Sequence, residues 1–252
     1  MADITVTELI RPAAQSAAGP QSALKAQVKR FAQHCWNYRT PDTRRAAIQI
    51  ANTLIPYVIL MGVMLWVADS MWWLTLLLAI PASGLLVRLF IIQHDCGHGS
   101  FLPTQTGNNA VGAVMSVLTA TPYMFWRRMH NMHHAGSGNL DRRGFGDITT
   151  LTVAEYKALS PLGKLGYRIY RNVPFLLLVG APLHFLILQR IPFGHPMPAK
   201  DIWRSVLGLD LAMAVVYGAL IYVFGWSAVL IALVPTVMMA AAMGVWLFYV
   251  QH

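Results

Sequence analysis

Two short runs hold five of the nine histidines in the chain: His94-Asp95-Cys96-Gly97-His98 and His130-Asn131-Met132-His133-His134. Imidazole is the commonest protein metal ligand near neutral pH. Imidazoles without a companion thiolate cluster suit iron, copper or zinc and do not suit calcium or magnesium. His94 and His98 are four residues apart, so on a helix they project from one face about a turn apart and can converge on one ion or bracket two. His130 is spaced i+3 from His133 and i+4 from His134, so one helical turn is expected to present three imidazoles. An isolated HxxxH arises easily by chance. An HxxHH near another apolar helix, on the same side of a membrane, does not. The pattern reads as a redox-capable metal centre at the edge of a bilayer.

Neighbouring residues extend this reading. Metal-bound histidines commonly pass their second ring N–H to a carboxylate, and Asp95, lying between two candidate ligands, is placed to accept it. Asp147 is the other acid of interest. Arg127 and Arg128 precede the second cluster, as anchors at the interface or as contacts for lipid phosphate. His34, His184 and His195 lack partner spacing. His34 and His195 read as surface residues, and His184 interrupts an apolar run.

The elements that must position these residues are membrane helices. The chain is 56% hydrophobic and 12% charged, against about 25% charged for soluble domains. Two cysteines, Cys35 and Cys96, exclude a disulfide framework and read as free thiols of a reducing compartment. Residues 1–30 are expected to carry no secretory signal. The net charge of +9 is concentrated in a few regions, and no nucleic-acid partner is expected.

The hydropathy pattern predicts an all-α integral membrane protein with four transmembrane helices in two hairpins: 46–67 with 71–92, and 205–224 with 228–250. The links are Ala68-Asp69-Ser70 and Gly225-Trp226-Ser227. Residues 107–120 are too short to cross about 30 Å of hydrocarbon and read as an interfacial or re-entrant helix. Residues 172–189, broken by Pro174 and Pro182, also read as interfacial. A polar tail over 1–40 precedes the membrane domain over 41–252. Lys and Arg gather in the tail and in the middle segment, while both links have none. Basic loops stay cytoplasmic, so both termini and both histidine clusters are expected on the cytoplasmic face, of the inner membrane if the source is bacterial.

The residues Gln93 to Phe101, Trp126 to His134 and Gly146 to Thr152 resemble the membrane fatty acid desaturase family, and Phe248 to His252 resembles the end of its fourth span. The resemblance runs from about residue 40 to the last residue. It implies two iron ions held by His94, His98, His130, His133, His134 and, at the end of the fourth span, His252. It further implies O2 as co-substrate, an acyl chain of a membrane lipid as substrate, and an external electron donor such as ferredoxin or a cytochrome. The family carries a third HxxHH beyond the fourth span, and no such run follows residue 134 here. The expectation is therefore a C-terminally incomplete chain whose shell lacks ligands. Alternative readings are a hydroxylase or ketolase of alkanes or carotenoids on the same histidine design, and a non-catalytic metal-binding remnant. A haem protein is disfavoured, because haem takes one histidine from each of two facing positions.

Overall fold

The computed structural model describes residues 20–36, 40–143, 148–191 and 197–251. His252, His195 and Gly146-Asp147 lie outside the described residues. The chain divides into two units, Met1–Asp42 and Thr43–His252. In the first, helix α1 (Pro20–Trp36) leaves Leu24, Val28 and Phe31 exposed along one stripe.

The second unit begins with a helical hairpin. Helices α2 (Thr43–Val67) and α3 (Trp72–Gly97) are each long and apolar enough to cross a membrane. The tight link closes through Met71 N–H donating to Val67 O at 2.7 Å. Thr75 Oγ1 donates to Met64 O across the pair, and far from the link Arg88 Nη2 donates to Asn52 Oδ1, as an antiparallel register requires. The core is built from Tyr57, Met61 and Met64 on α2 against Ala79, Ala82, Leu86 and Leu89 on α3. Small residues at the contact let helix backbones approach closely, which replaces the hydrophobic drive that lipid cannot supply.

Helix α4 (Gln105–Thr119) has 15 residues, roughly 22 Å of rise, too short to span. Thr104 caps its start by accepting from Gly107 N–H, and Ala120 ends it in the left-handed region at φ 52°. Helix α5 (Tyr123–Gly136) follows after three residues and carries the second histidine cluster. After a 3-10 turn at Leu140–Arg142 come two short helices, α6 (Val153–Ala158) and α7 (Pro161–Tyr170).

The run Val173–Arg190, here α8, is long and apolar enough to cross a membrane by length and composition, where an interfacial helix was expected. Arg171 at its start lies 5.4 Å over the ring of Tyr249, close to the end of the last helix. Near its other end Phe185 packs on Phe90 at 5.7 Å, about one turn before His94. Both ends are therefore tied to the histidine-bearing end of the bundle, and α8 lies across that end, as its prolines and its π-helical turn at Leu176–Gly180 allow.

The last helix, α9 (Ala199–Gln251), is written continuously over 53 residues, but Gly225 inside it has φ 81° and ψ 159°. Those angles break the helix, and only glycine adopts them freely. Ser205 Oγ accepts from Phe125 N–H at 3.2 Å, and Phe248 lies 5.3 Å from the ring of His133. Phe125 and His133 are roughly 12 Å apart along α5, whereas a straight helix would separate Ser205 from Phe248 by about 65 Å. The chain thus reverses at Gly225, and residues 199–224 and 226–251 form the second hairpin. Trp66, Trp72 and Trp73 flank the first link and Trp226 sits in the second, all exposed, where amphipathic rings favour a membrane–water interface.

Candidate metal centre

Helix α3 continues five residues past the expected end of the second span, and this extension carries the first cluster. It stops in a Schellman motif: Gly99 N–H donates to Cys96 O at 3.0 Å and Ser100 N–H to Asp95 O at 3.1 Å. Gly99 supplies the left-handed conformation at φ 69°. His94 is thereby fixed on the last helical turn and His98 on the cap.

Helix α5 is clamped against this end. Arg127 Nε donates to Gly97 O at 3.1 Å and Arg127 Nη1 to Asn109 Oδ1 at 3.0 Å, joining α3, α4 and α5 through one guanidinium. Tyr123 packs so closely on Gly112 that a Cβ there would fall 2.3 Å from its ring. Trp126 lies stacked on His130, with 4.7 Å between centroids and 13° between planes, and edge-on to Phe90 at 5.4 Å.

These contacts bring four imidazoles together. His94, His98, His130 and His134 each offer a ring nitrogen, and all four lie within 4.8 Å of one another. The successive Nε2 separations are 3.2 Å from His94 to His98, 3.1 Å to His130 and 3.0 Å to His134. Two nitrogens bound at about 2.1 Å to one ion stand roughly 3.0–3.4 Å apart at angles of 90–110°. His94 Nδ1 lies 3.1 Å from Asp95 Oδ1. With its N–H given to that carboxylate, His94 turns its Nε2 lone pair toward the cluster. Burial, and then the imidazoles of His94, His134, His98 and His133, push the His130 pKa down to about 3. Burial, followed by His94 and His134, lowers that of His98. Neutral imidazoles with converging lone pairs are what a transition metal requires, so the donor set fits one.

His133 does not join the four. Positions i+3 and i+4 differ by about 100° around a helix, so His133 and His134 diverge. His133 is buried and faces Phe248, its centroid 6.2 Å from that of His130. The expected three-imidazole turn is therefore two imidazoles at the cluster and one beside it. A cavity of about 420 Å³ opens next to His133, lined by Arg142, Arg171, Phe248 and Tyr249 among others.

The sequence reading did not single out two supporting features. Asn109, with Gly97, takes the Arg127 clamp. Arg190 donates to Asp210 Oδ1 at 3.0 Å and to the carbonyls of Phe185, Leu186 and Ala120, locking α8, α4 and α9 together. The available signal for the second was Asp210, a lone carboxylate inside an apolar span.

Residues 70–252 match the family described as fatty acid desaturase. The chain is 41% identical over 239 residues to a fatty acid desaturase of Bacillus subtilis, covering 94% of this chain and 65% of that protein. It is 34% identical over 151 residues to the sn-1 acyl-lipid omega-3 desaturase (ferredoxin) of Synechocystis sp., covering 55% of this chain and 39% of that one. It is 26% identical over 196 residues to an sn-1 oleoyl-lipid 12-desaturase of Picosynechococcus sp., covering 73% and 53%. The chain thus spans less than two thirds of the length of each of these relatives. No solved structure matches. With a family match over most of its length and the histidine cluster at the end of its membrane helices, this chain belongs to the fatty acid desaturase family.

Proposed function

We propose that the protein desaturates an acyl chain of a membrane lipid, using O2 and a histidine-held pair of irons on the cytoplasmic face. The observation that carries this is the convergence of four imidazole nitrogens within 4.8 Å at the membrane-helix ends. His94, His98, His130 and His134 would hold one iron. His133, turned to the adjoining cavity, and His252 would serve the second. When bound, the irons supply the strongly oxidising chemistry that removal of hydrogen from unactivated methylenes demands and that zinc cannot provide.

The chain's own residues supply placement. Asp95 fixes the ring and tautomer of His94. Arg127 holds the α3 end against α5, so that His98 faces His130. Phe90 and Trp126 line the cluster on its membrane side, which favours approach of an acyl chain over water. The names of the relatives support a lipid-linked acyl substrate, and that of the Synechocystis protein supports ferredoxin as donor.

The test is expression with a ferredoxin and its reductase, followed by mass spectrometry of the lipids and metal analysis of the purified protein. New double bonds that vanish in the His130→Ala variant, together with bound iron, are the expected result. An inserted oxygen in place of a double bond would replace this reading with the hydroxylase one.

A further inference from the structure

Helices α6 and α7 form a clip whose polar groups are turned onto itself. Thr152 and Glu155 close a reciprocal capping box at the start of α6, with Glu155 N–H donating to Thr152 Oγ1 at 3.2 Å and Thr152 N–H to Glu155 Oε2 at 2.7 Å. Ser160 Oγ caps α7 by accepting from Gly163 N–H at 3.1 Å. Thr149 N–H donates to Tyr170 OH, Leu151 N–H to Tyr167 OH, and Arg168 Nε to Tyr156 OH. Glu155, the one acidic residue of the segment 148–171, pairs with Arg143, which holds its carboxyl well below the usual range.

What the clip leaves outside is apolar and basic. Val153 is 71% exposed and Leu162 78%, with Leu165 and Ile169 also exposed. Leu162, Leu165 and Ile169 follow i, i+3, i+7 and form one stripe on α7. Lys164 lies off that stripe, Arg168 is exposed even though its Nε donates to Tyr156 OH, and Lys157 is exposed on α6. The clip is also fixed in place. Directly after α7, Arg171 stands over Tyr249 and donates to Ile148 O. Asn172 then caps the apolar run α8 by accepting from Phe175 N–H.

We propose that this face binds the membrane's own anionic lipid surface. The stripe of Val153, Leu162, Leu165 and Ile169 lies in the headgroup–acyl boundary, and Lys157, Lys164 and Arg168 reach lipid phosphates. Continuity argues for the bilayer as the occupant, because the helix runs within two residues into a membrane-lying segment. Charge argues for anionic lipid, because the only carboxylate is already committed to Arg143. An amphipathic helix with cations on its polar face binds an anionic interface through both terms. Through Arg171 and Tyr249, this contact would set the height of the cavity beside His133 above the lipid. The inference requires only that the spans lie in a bilayer, so its test reads membrane contact rather than turnover.

The whole chain, with Cys35→Ser to remove the exposed native thiol, is labelled with an environment-sensitive fluorophore at Leu162→Cys or at Lys164→Cys. It is then reconstituted into phosphatidylcholine liposomes with or without phosphatidylglycerol. The Leu162 probe should be quenched several-fold more by shallow spin-labelled lipid than the Lys164 probe, and more so with phosphatidylglycerol present. In the Lys157→Gln, Lys164→Gln, Arg168→Gln variant the Leu162 probe should lose its dependence on phosphatidylglycerol. Water-like emission at Leu162 in both membranes would overturn the proposal. So would quenching indifferent to lipid charge, or shielding that appears only when an acidic soluble protein is added.

Discussion

Gly97 and Trp126 meet where α3 and α5 cross. A Cβ at residue 97 would stand 2.9 Å from Trp126 Cζ3 and 3.8 Å from Arg127 Cγ. The indole has nowhere to yield, since its face lies on His130 and its edge on Phe90. The absence of a side chain at 97 therefore sets how closely the two histidine clusters approach.

Gly97→Ala should accordingly loosen the centre without unfolding the bundle. Cobalt(II) titration followed by its visible absorption should show binding weakened by roughly 10–100-fold, the range for losing a supporting partner. Helix content by circular dichroism should be unchanged. Adding Trp126→Phe, which removes the clashing atom, should restore part of the affinity. If Gly97→Ala binds cobalt as the parent does, the spacing role assigned to Gly97 is wrong.

The divergence of His133 from His134 predicts two classes of histidine variant. His98→Ala or His130→Ala should abolish the tighter metal site, because each contributes to the four-nitrogen cluster. His133→Ala should leave that site and remove only the second equivalent. Metal stoichiometry by mass spectrometry distinguishes the two. Equal loss in all three variants would place His133 in the same shell as the others.

Arg190 should be hard to replace. It satisfies Asp210 on α9, two carbonyls of α8 and the Ala120 carbonyl at the end of α4, with its side chain only 19% exposed. Arg190→Leu should lower stability by on the order of 2–4 kcal/mol, since it strands a carboxylate and three acceptors. Arg190→Leu with Asp210→Leu should recover part of that loss. Thermal unfolding in detergent reads both, and a double variant no better than the single one would show that the pair itself contributes little.

The two hairpins predict sidedness. Cysteines introduced at Ser70 and Ser227, in the two links, should react with an impermeant maleimide from one side of the membrane. A cysteine at Gly138, past the second histidine cluster, should react only from the other. The rule that basic loops stay cytoplasmic predicts that the links react from the periplasmic or external side. Labelling of Gly138→Cys together with the links would refute this arrangement.

Much of this protein was legible in its sequence because membranes simplify the problem. An apolar run of about 20 residues must be a helix if it crosses, since no water is present to satisfy its backbone. The helical period then fixes that His94 shares a face with His98, and His130 with His134. The hairpin link at Gly225 followed from the short Gly225-Trp226-Ser227 punctuation, whereas Val173–Arg190, expected to be interfacial, is by length and composition also able to cross a membrane. Tertiary structure decided what depends on contacts between helices. Which imidazole of His133 and His134 turns to the cluster rests on about 100° of helical rotation, resolved only by packing against Phe248. That Arg127 clamps the centre rather than reaching lipid depends on Gly97 and Asn109 lying within hydrogen-bond distance across three helices. The role of Asp210 is likewise set by Arg190, a partner brought near by folding and invisible to any local spacing rule.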